Sequence, residues 1–443
     1  MSTNGCSRPS AVSAVLAAMP AESLVRAHGR DAARRARVKA SIALALVAAC
    51  SSPPGEAPDA SVEDAAVDAH IDAQPATGEM RGIWITRFAW TTRAQLEAII
   101  DRAAAANFNA VFVQVRAEGD AYYHSAHEPW SRRLGALGRD PGWDPLQVSI
   151  DRAHAHGMEL HAYVNVFTAW PAALAMPVAE GTKPHPLHAH PEWLAVNSSG
   201  VNADGEYRWF TAGNPAVRAH VVAVVTDLLA NYSVDGLHLD RIRAPGADYS
   251  HDAITQAAFD AAKAQNTSLT WSMFMRAQVD TMVADIHAAL VATRPSAKLS
   301  AAVWGIYEPL TGCSTSQGLR DYHQDSLAWL DREIVDAITP MIYWSIEDGA
   351  CTDWATLARG FIAERGTRQV WAGMHALDDG AFDFAQIGAR VELARTEGAQ
   401  GVMVYASTYL DEDPMRWSAF VGTASAPSVF FEASPPPYMP WKP

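Results

Sequence analysis

The sequence predicts an α/β chain whose body is a single (β/α)8 TIM barrel with long insertions after strands 3 and 4. Three observations carry that expectation. From Arg81 onward, apolar strand-like runs alternate with runs of helical period, the pattern of parallel βα units rather than of a sandwich or a bundle. Eight such units can be counted, and eight parallel strands joined by right-handed crossovers close into a barrel. The hydrophobic share, 49% of 443 residues, is ample for one sizeable core.

The strands read Gly82–Phe88, Ala110–Arg116, Glu159–Phe167, Gly236–Ile242, Lys298–Gly305, Ala337–Trp344, Gln369–Leu377 and Gly401–Ser407. Helices fill the intervals. Arg93–Asn107 puts Leu96, Ile99, Ile100 and Ala103 on one face, and Ala216–Asn231 does the same with Val217, Val221, Val224, Val225 and Leu228. Two intervals are too long for a plain βα unit. Thr168 to Asn214 follows the third strand and is rich in His, Pro and Trp, and Ala244 to Ala297 follows the fourth. Both lie after strand C-termini, where loops build the working face of a barrel, so they are expected to wall a cleft for an extended ligand. The barrel is bounded at residues 81–422, and 423–443, with Pro435-Pro436-Pro437, is expected to be an irregular tail.

Ahead of the barrel the chain has a different character. Arg34, Arg35, Arg37 and Lys39 precede an apolar run, Ala40 to Ala49, that stops at Cys50, which is the layout of an export signal. Val47-Ala48-Ala49-Cys50 resembles a lipobox, making Cys50 the expected lipidation site and residues 1–50 the signal, with translation starting near Val38. The run is too short for a membrane span, which needs about 20 residues. Residues 51–80 hold seven acidic residues and no Lys or Arg among Ala and Pro, the composition of a disordered tether. Ser51 after the Cys resembles the signal for passage to an outer membrane, so the expected location is that membrane, facing the periplasm. In an exported chain Cys313 and Cys351 are free to pair.

A formal charge of -15 disfavours nucleic acid as a partner. The fifteen Trp and twelve Tyr suit cores and sugar rings alike. The fourth strand is more informative. In Val234-Asp235-Gly236-Leu237-His238-Leu239-Asp240-Arg241-Ile242-Arg243, period two turns Leu237 and Leu239 outward and His238 and Asp240 into the barrel, with Asp240 at the catalytic end. An inward carboxylate is costly unless paired or functional. Arg243 would neutralise it or hold a substrate hydroxyl; the plainer reading is an Asp240–Arg243 pair that only pins a loop. Asp235, at the other end, reads as structural. Candidate ligand contacts on other strands are Arg116, Asp120, His161, Asn165, Tyr343, Trp344, His375 and Tyr405, because polar and aromatic groups converging at strand ends mark a pocket.

A resemblance sharpens this. Met80-Arg81-Gly82-Ile83-Trp84, Gln114-Val115-Arg116, Gly119-Asp120-Ala121-Tyr122, Ser125 and Glu128-Pro129-Trp130-Ser131 resemble signatures of the glycosyl-hydrolase-10-like lipoproteins. Asp144-Pro145-Leu146, Ala153-His154, Gly157 to Ala162, Asn214-Pro215, Asp235 to Asp240 and Pro340-Met341-Ile342-Tyr343-Trp344 continue the match in the family's order, over roughly residues 80 to 410. The resemblance implies an envelope-anchored barrel that cleaves a polysaccharide, including peptidoglycan glycan strands lacking stem peptides. Two departures stand out. Arg241-Ile242 replaces the Asp-Tyr that follows the fourth-strand Asp in many members, and Asn165-Val166-Phe167 replaces Asn-Pro-Tyr.

Glycoside cleavage normally uses two carboxyl groups. Asp240 is the first. Related barrels with a fourth-strand nucleophile often place the acid after strand six, which points to Glu347; Glu308 and Glu118 are the alternatives. No cofactor is expected, and the chain is expected to be a monomer. Two rival readings remain: a non-catalytic glycan-binding lipoprotein, and a metal-dependent deacetylase using histidines among His161, His185, His188, His190 and His238.

Overall fold

A computed structural model describes residues 78–178, 183–346, 349–377 and 384–443. Cys50, the acidic stretch up to residue 77, and Glu347 with Asp348 lie outside the described residues. The barrel strands are β1 (Met80–Ile85), β2 (Ala110–Arg116), β3 (Glu159–Asn165), β4 (Gly236–Asp240), β5 (Lys298–Trp304), β6 (Ala337–Met341), β7 (Gln369–His375) and β8 (Gly401–Tyr405). All neighbours are parallel, and β1 pairs with both β2 and β8, so the sheet closes with each strand beside its sequence neighbours.

Six of the eight strands end two or three residues before the apolar run does, while β2 ends with its run and β5 one residue short of it. Val166, Ile242 and Ile342 are buried although they have left the strand. Burial therefore outlasts the ladder, and the residues past its end form the rim.

Period two divides each strand between two cores. Outward side chains such as Ile83, Val111, Val113, Leu237 and Leu239 pack in the large outer core under the helices. Inward ones, among them Met80, Trp84, Phe112, Tyr163, Trp371 and Met403, fill the barrel. At about 25 cal/mol per Å² of apolar surface removed from water, these layers supply the main driving force. Small residues make room for large ones. A Cβ on Gly82 would meet Met403 Sδ at 2.1 Å, and one on Gly236 would meet His161 Nδ1 at 2.1 Å.

The described helices of six or more residues are α1 (Arg93–Ala105), α2 (Pro145–Ala155), α3 (Pro215–Asn231), α4 (Ala253–Gln265), α5 (Trp271–Thr293), α6 (Ser326–Asp331), α7 (Trp354–Ala363) and α8 (Ile387–Glu397). Their starts are written in the sequence. Thr92 and Gln95 form a reciprocal capping box on α1. Asp144-Pro145 and Asn214-Pro215 place a side-chain acceptor at the N-cap and a proline in the first turn of α2 and α3. Between β3 and α3, Thr168–Pro171 pairs antiparallel with Tyr207–Trp209. Between β4 and β5 stand α4 and α5. Cys313 and Cys351 are joined in a disulfide with a Cα–Cα distance of 5.6 Å, within the usual span.

The C-terminal segment closes the barrel floor. Met439 is buried against the inner core, with Trp441 beside it. Trp441 Nε1 donates to Asp336 Oδ1 at 2.6 Å, Lys442 Nζ to Ala297 O at 2.6 Å, and Asn109 Nδ2 to Ser434 O at 2.8 Å. After a short antiparallel ladder between Gly422–Thr423 and Ala426–Pro427, the tail is irregular in backbone but seated.

Candidate active site

Among the described residues, a central carboxylate stands at the C-terminal end of the barrel. Asp240, the last residue of β4, has a side chain 14% exposed. Tyr163 Oη, from β3, donates to its Oδ2 at 2.7 Å, and the Arg241 backbone N–H donates to Oδ1 at 2.6 Å. Arg243 Nη1 stands 3.6 Å from Oδ1. Burial pushes the carboxyl up, but Arg243, Arg241 and the two donors outweigh it and hold the group below its ordinary value. Asp240 is therefore an anion at neutral pH.

Beneath it lies a neutral floor. His238 is fully buried, accepts from Trp84 Nε1 at Nε2 (3.0 Å), and places Nδ1 at 2.8 Å from Ser300 Oγ. Since Nε2 accepts, the proton sits on Nδ1 and is donated to Ser300. Burial, together with nearby His161, holds the imidazole pKa at about 3.

Aromatic rings wall the mouth. Tyr343 and Tyr405 stack at 5.5 Å, His375 meets Tyr343 at 5.2 Å and Tyr409 at 4.7 Å, and Trp84 meets Tyr405 edge-on at 5.9 Å. Trp304 and Tyr322 each lie 5.7 Å from the Arg243 guanidinium. Phe88, past the end of β1, is 54% exposed, with Arg87 and Arg133 against its ring.

A second acidic cluster lies at the ends of β1 and β2. Arg87 Nη2 donates to Glu118 Oε1 at 2.7 Å and to Tyr207 Oη at 2.8 Å, while Arg132 Nη2 reaches Glu118 Oε2 at 3.3 Å. Asp120 Oδ1 accepts from the Glu118 N–H at 2.9 Å, and its buried Oδ2 has no partner among the described residues. Burial and the Asp120 charge raise the Glu118 pKa despite its two arginines.

Of the residues singled out from the sequence, Asp240, Arg243, Tyr343, His375 and Tyr405 come together at the mouth. Trp344 is half-buried and packs beside Gly305 at the end of β5. Others are corrected. Arg116 is wholly buried, with its guanidinium spent on both oxygens of Glu128 (2.8 and 2.7 Å) and on the carbonyls of Asn165 and Val166. Asn165 is level with Asp240, but its amide is committed to Gln114 and Ala117. His161 lies at the floor, level with Gly236, stacked on Phe112 at 4.3 Å and bonded to Glu159 at 3.0 Å. His238 supports the site from below, Asp120 braces the Glu118 backbone, and Glu308 is exposed without an ion pair among the described residues. Period two gives the side on which a residue points, not its height in the barrel.

Sequence reasoning missed Tyr163 as the donor to Asp240, although its place on the inward face of β3 was the signal. Arg87, Arg241 and Tyr322 lie beyond strand ends or in loops, and Tyr207 opens a three-residue strand too short for any periodicity to flag it. Among the described residues no three His, Cys, Asp or Glu side chains converge as a metal site would require. His185 spends Nε2 on Glu118 O at 2.7 Å and Nδ1 on the Leu187 N–H.

Comparison with known proteins accords with this geometry. Glycosyl hydrolase YngK of Bacillus subtilis is 28% identical over 291 residues, 60% of this chain and 54% of that protein, so the match spans about half of that relative's length. Glycosyl hydrolase DigH of Escherichia coli K12 is 26% identical over 359 residues, 72% of this chain and 76% of the relative. Among solved structures, the PgaB (BpsB) glycoside hydrolase domain from Bordetella bronchiseptica superposes with a TM-score of 0.51 at 14% identity, over 77% of this chain and 97% of that one. The β-amylase catalytic domain from Paenibacillus polymyxa gives 0.52 at 11%, over 74% and 92%. At such identities these structures speak for the fold alone. The model of the glycosyl hydrolase-like 10 family matches residues 79–358, and the chain belongs to that family.

Proposed function

We propose that this chain is an envelope-anchored glycoside hydrolase that cuts a polysaccharide lying across the barrel mouth, with peptidoglycan strands lacking stem peptides as the first candidate. The observation that carries the reading is Asp240: a carboxylate at the end of β4, ringed by aromatic side chains and kept ionised by Tyr163 and two arginines. An ionised carboxylate there suits the nucleophile, or the base for water, of glycoside hydrolysis. The acid must come from across the scissile bond and carry a raised pKa. Glu347, which follows Tyr343 and Trp344 in the sequence, is the proposed acid. Glu118 is the rival, with its raised pKa in its favour and its ion pairs with Arg87 and Arg132 against it. Attachment would be through a lipid on Cys50, at the outer membrane facing the periplasm.

The test is to incubate protein from Ser51 onward with peptidoglycan freed of stem peptides, beside Asp240→Asn and Glu347→Gln variants, and to read the products by mass spectrometry. Fragments from the wild type, with losses in both variants, are expected. Fragments undiminished in Asp240→Asn would move the chemistry elsewhere.

One observation favours a second reading, a glycan-binding lipoprotein. Among the described residues, both Asp240 and Glu118 face arginines, so neither is a free acid. Binding of the strands without fragments from any variant would select it.

A further inference from the structure

Among the described residues, the proposed glycan site has more positive charge than its carboxylates balance. Several arginines elsewhere are closely paired, as Arg116 with Glu128 at 2.7 Å, Arg152 with Asp101 at 2.6 Å and Arg87 with Glu118 at 2.7 Å. At the mouth, Arg241 and Arg243 share Asp240. Arg243 is buried, flanked by Trp304 and Tyr322, and its Nη1 makes no hydrogen bond among the described residues, standing 3.6 Å from the carboxylate. Arg241 keeps 26% of its side chain exposed. Its guanidinium lies 5.5 Å from the Tyr207 ring and 5.7 Å from the Trp209 ring, and among the described residues its side chain meets one acid at 3.5 Å, Glu206, which is itself 62% exposed.

Two cations beside one carboxylate are costly to desolvate unless an anion completes the set. The two also act on each other, since burial and the Arg241 charge together bring the Arg243 pKa down to about 10. A planar guanidinium with free N–H groups is shaped for a carboxylate, which it can grip at two points.

We infer that Arg241 and Arg243 form an anion subsite beside Asp240 that takes a sugar carboxylate, making the substrate an acidic glycan rather than a neutral one. This rests on the mouth being a glycan site but not on its cutting the glycan. A carboxylate held there fixes the register of the strand against Asp240, so only a bond at a set distance from an acidic sugar is presented to it.

The experiment compares two probes, stem-peptide-free glycan strands and the same strands with their lactyl carboxylates converted to neutral amides. Binding is measured by equilibrium dialysis in the Asp240→Asn background, with Arg241 intact, Arg241→Asn or Arg241→Lys. Asparagine is chosen because Arg241 has φ 51°, a conformation it tolerates. With Arg241 intact, the acidic strands should bind about tenfold or more tighter, the scale of one charge-assisted contact. Arg241→Asn should bring the two probes within about twofold by weakening only the acidic one, and Arg241→Lys should fall between. Equal binding of both probes with Arg241 present, or equal loss of both in Arg241→Asn, would overturn the subsite. If the strands are never cut by wild type but the preference for the acidic probe holds, the hydrolase reading fails and the anion subsite stands.

Discussion

Glu128→Gln should destabilise the protein more than any change at the mouth. Glu128 and Arg116 both have side chains 0% exposed, joined by bonds of 2.8 and 2.7 Å, and His220 Nε2 adds a contact at 3.0 Å. The remaining Arg116 nitrogen donates to Asn165 O and Val166 O. One guanidinium thus ties the ends of β2 and β3 to the loop that carries Glu128. Breaking a buried pair from one side costs about 3–5 kcal/mol, because the other charge stays buried. Gln can still accept one bond from Arg116, which puts the expected loss near the bottom of that range, about 3 kcal/mol. With an unfolding entropy of about 2.1 cal/mol/K per residue, that is a fall in Tm of about 4 °C for a domain of this size. The assay is urea denaturation followed by tryptophan fluorescence at several pH values. Burial raises the Glu128 pKa, but Arg116 and His220 bring it far below the ordinary carboxylate range. The folded-state pKa is thus below the unfolded one, so the stabilisation is complete above about pH 4.3 and is lost as pH falls further. The variant's deficit should shrink correspondingly in acid. Arg116→Met with Glu128→Leu should recover most of the loss. A deficit under 1 kcal/mol at pH 7, or one that does not change toward pH 3, would refute this account of Arg116.

Three further outcomes follow from the geometry. Tyr163→Phe removes a donor from ionised Asp240, so the acid limb of the kcat/KM profile on stem-peptide-free strands should move up by about one pH unit; an unmoved limb would mean that Asp240 does not set it. Asp280 is pushed up to about 7 by burial and by Asp325, although Trp329 Nε1 donates to it at 2.7 Å. Its folded-state pKa is above the unfolded value, so wild type loses stability as pH rises from about 4 to 7; Asp280→Asn should be more stable by about 1–2 kcal/mol at pH 8, with the gap closing at pH 4. Met439→Ala, which hollows the barrel floor, should cost about 2–3 kcal/mol in the same denaturation assay.

The eight strands were legible because each is a short run buried on both faces, and the helix starts because their caps are local. What a single sequence does not encode locally is height and long-range closure. His161, His238 and Asp240 all point inward, yet only the strand register shows that the first is at the floor, the second beneath the site and the third at the rim. Arg116 reads as a rim cation until the chain folds back between Ala121 and Pro129 and brings Glu128 onto it. The partnership of Arg87 with Tyr207 crosses 120 positions. Met439 and Trp441 sit in an aperiodic, proline-rich segment, and nothing in their spacing announces that they complete a core.

The seating of the tail has a consequence for the order in which the protein can fold. Glu79 meets Ser434 across 355 positions, and β1 has β8 as one of its two neighbours. Until β8 is available to pair, 321 positions after β1 (Met80 to Gly401), β1 keeps an open edge of unpaired backbone groups. An exposed strand edge recruits other strands, and such distant pairings form slowly. Until the last residues of the barrel arrive, the early units are a sheet in waiting that a holding chaperone would recognise, and truncations before residue 401 should accumulate as aggregates rather than as smaller folded proteins.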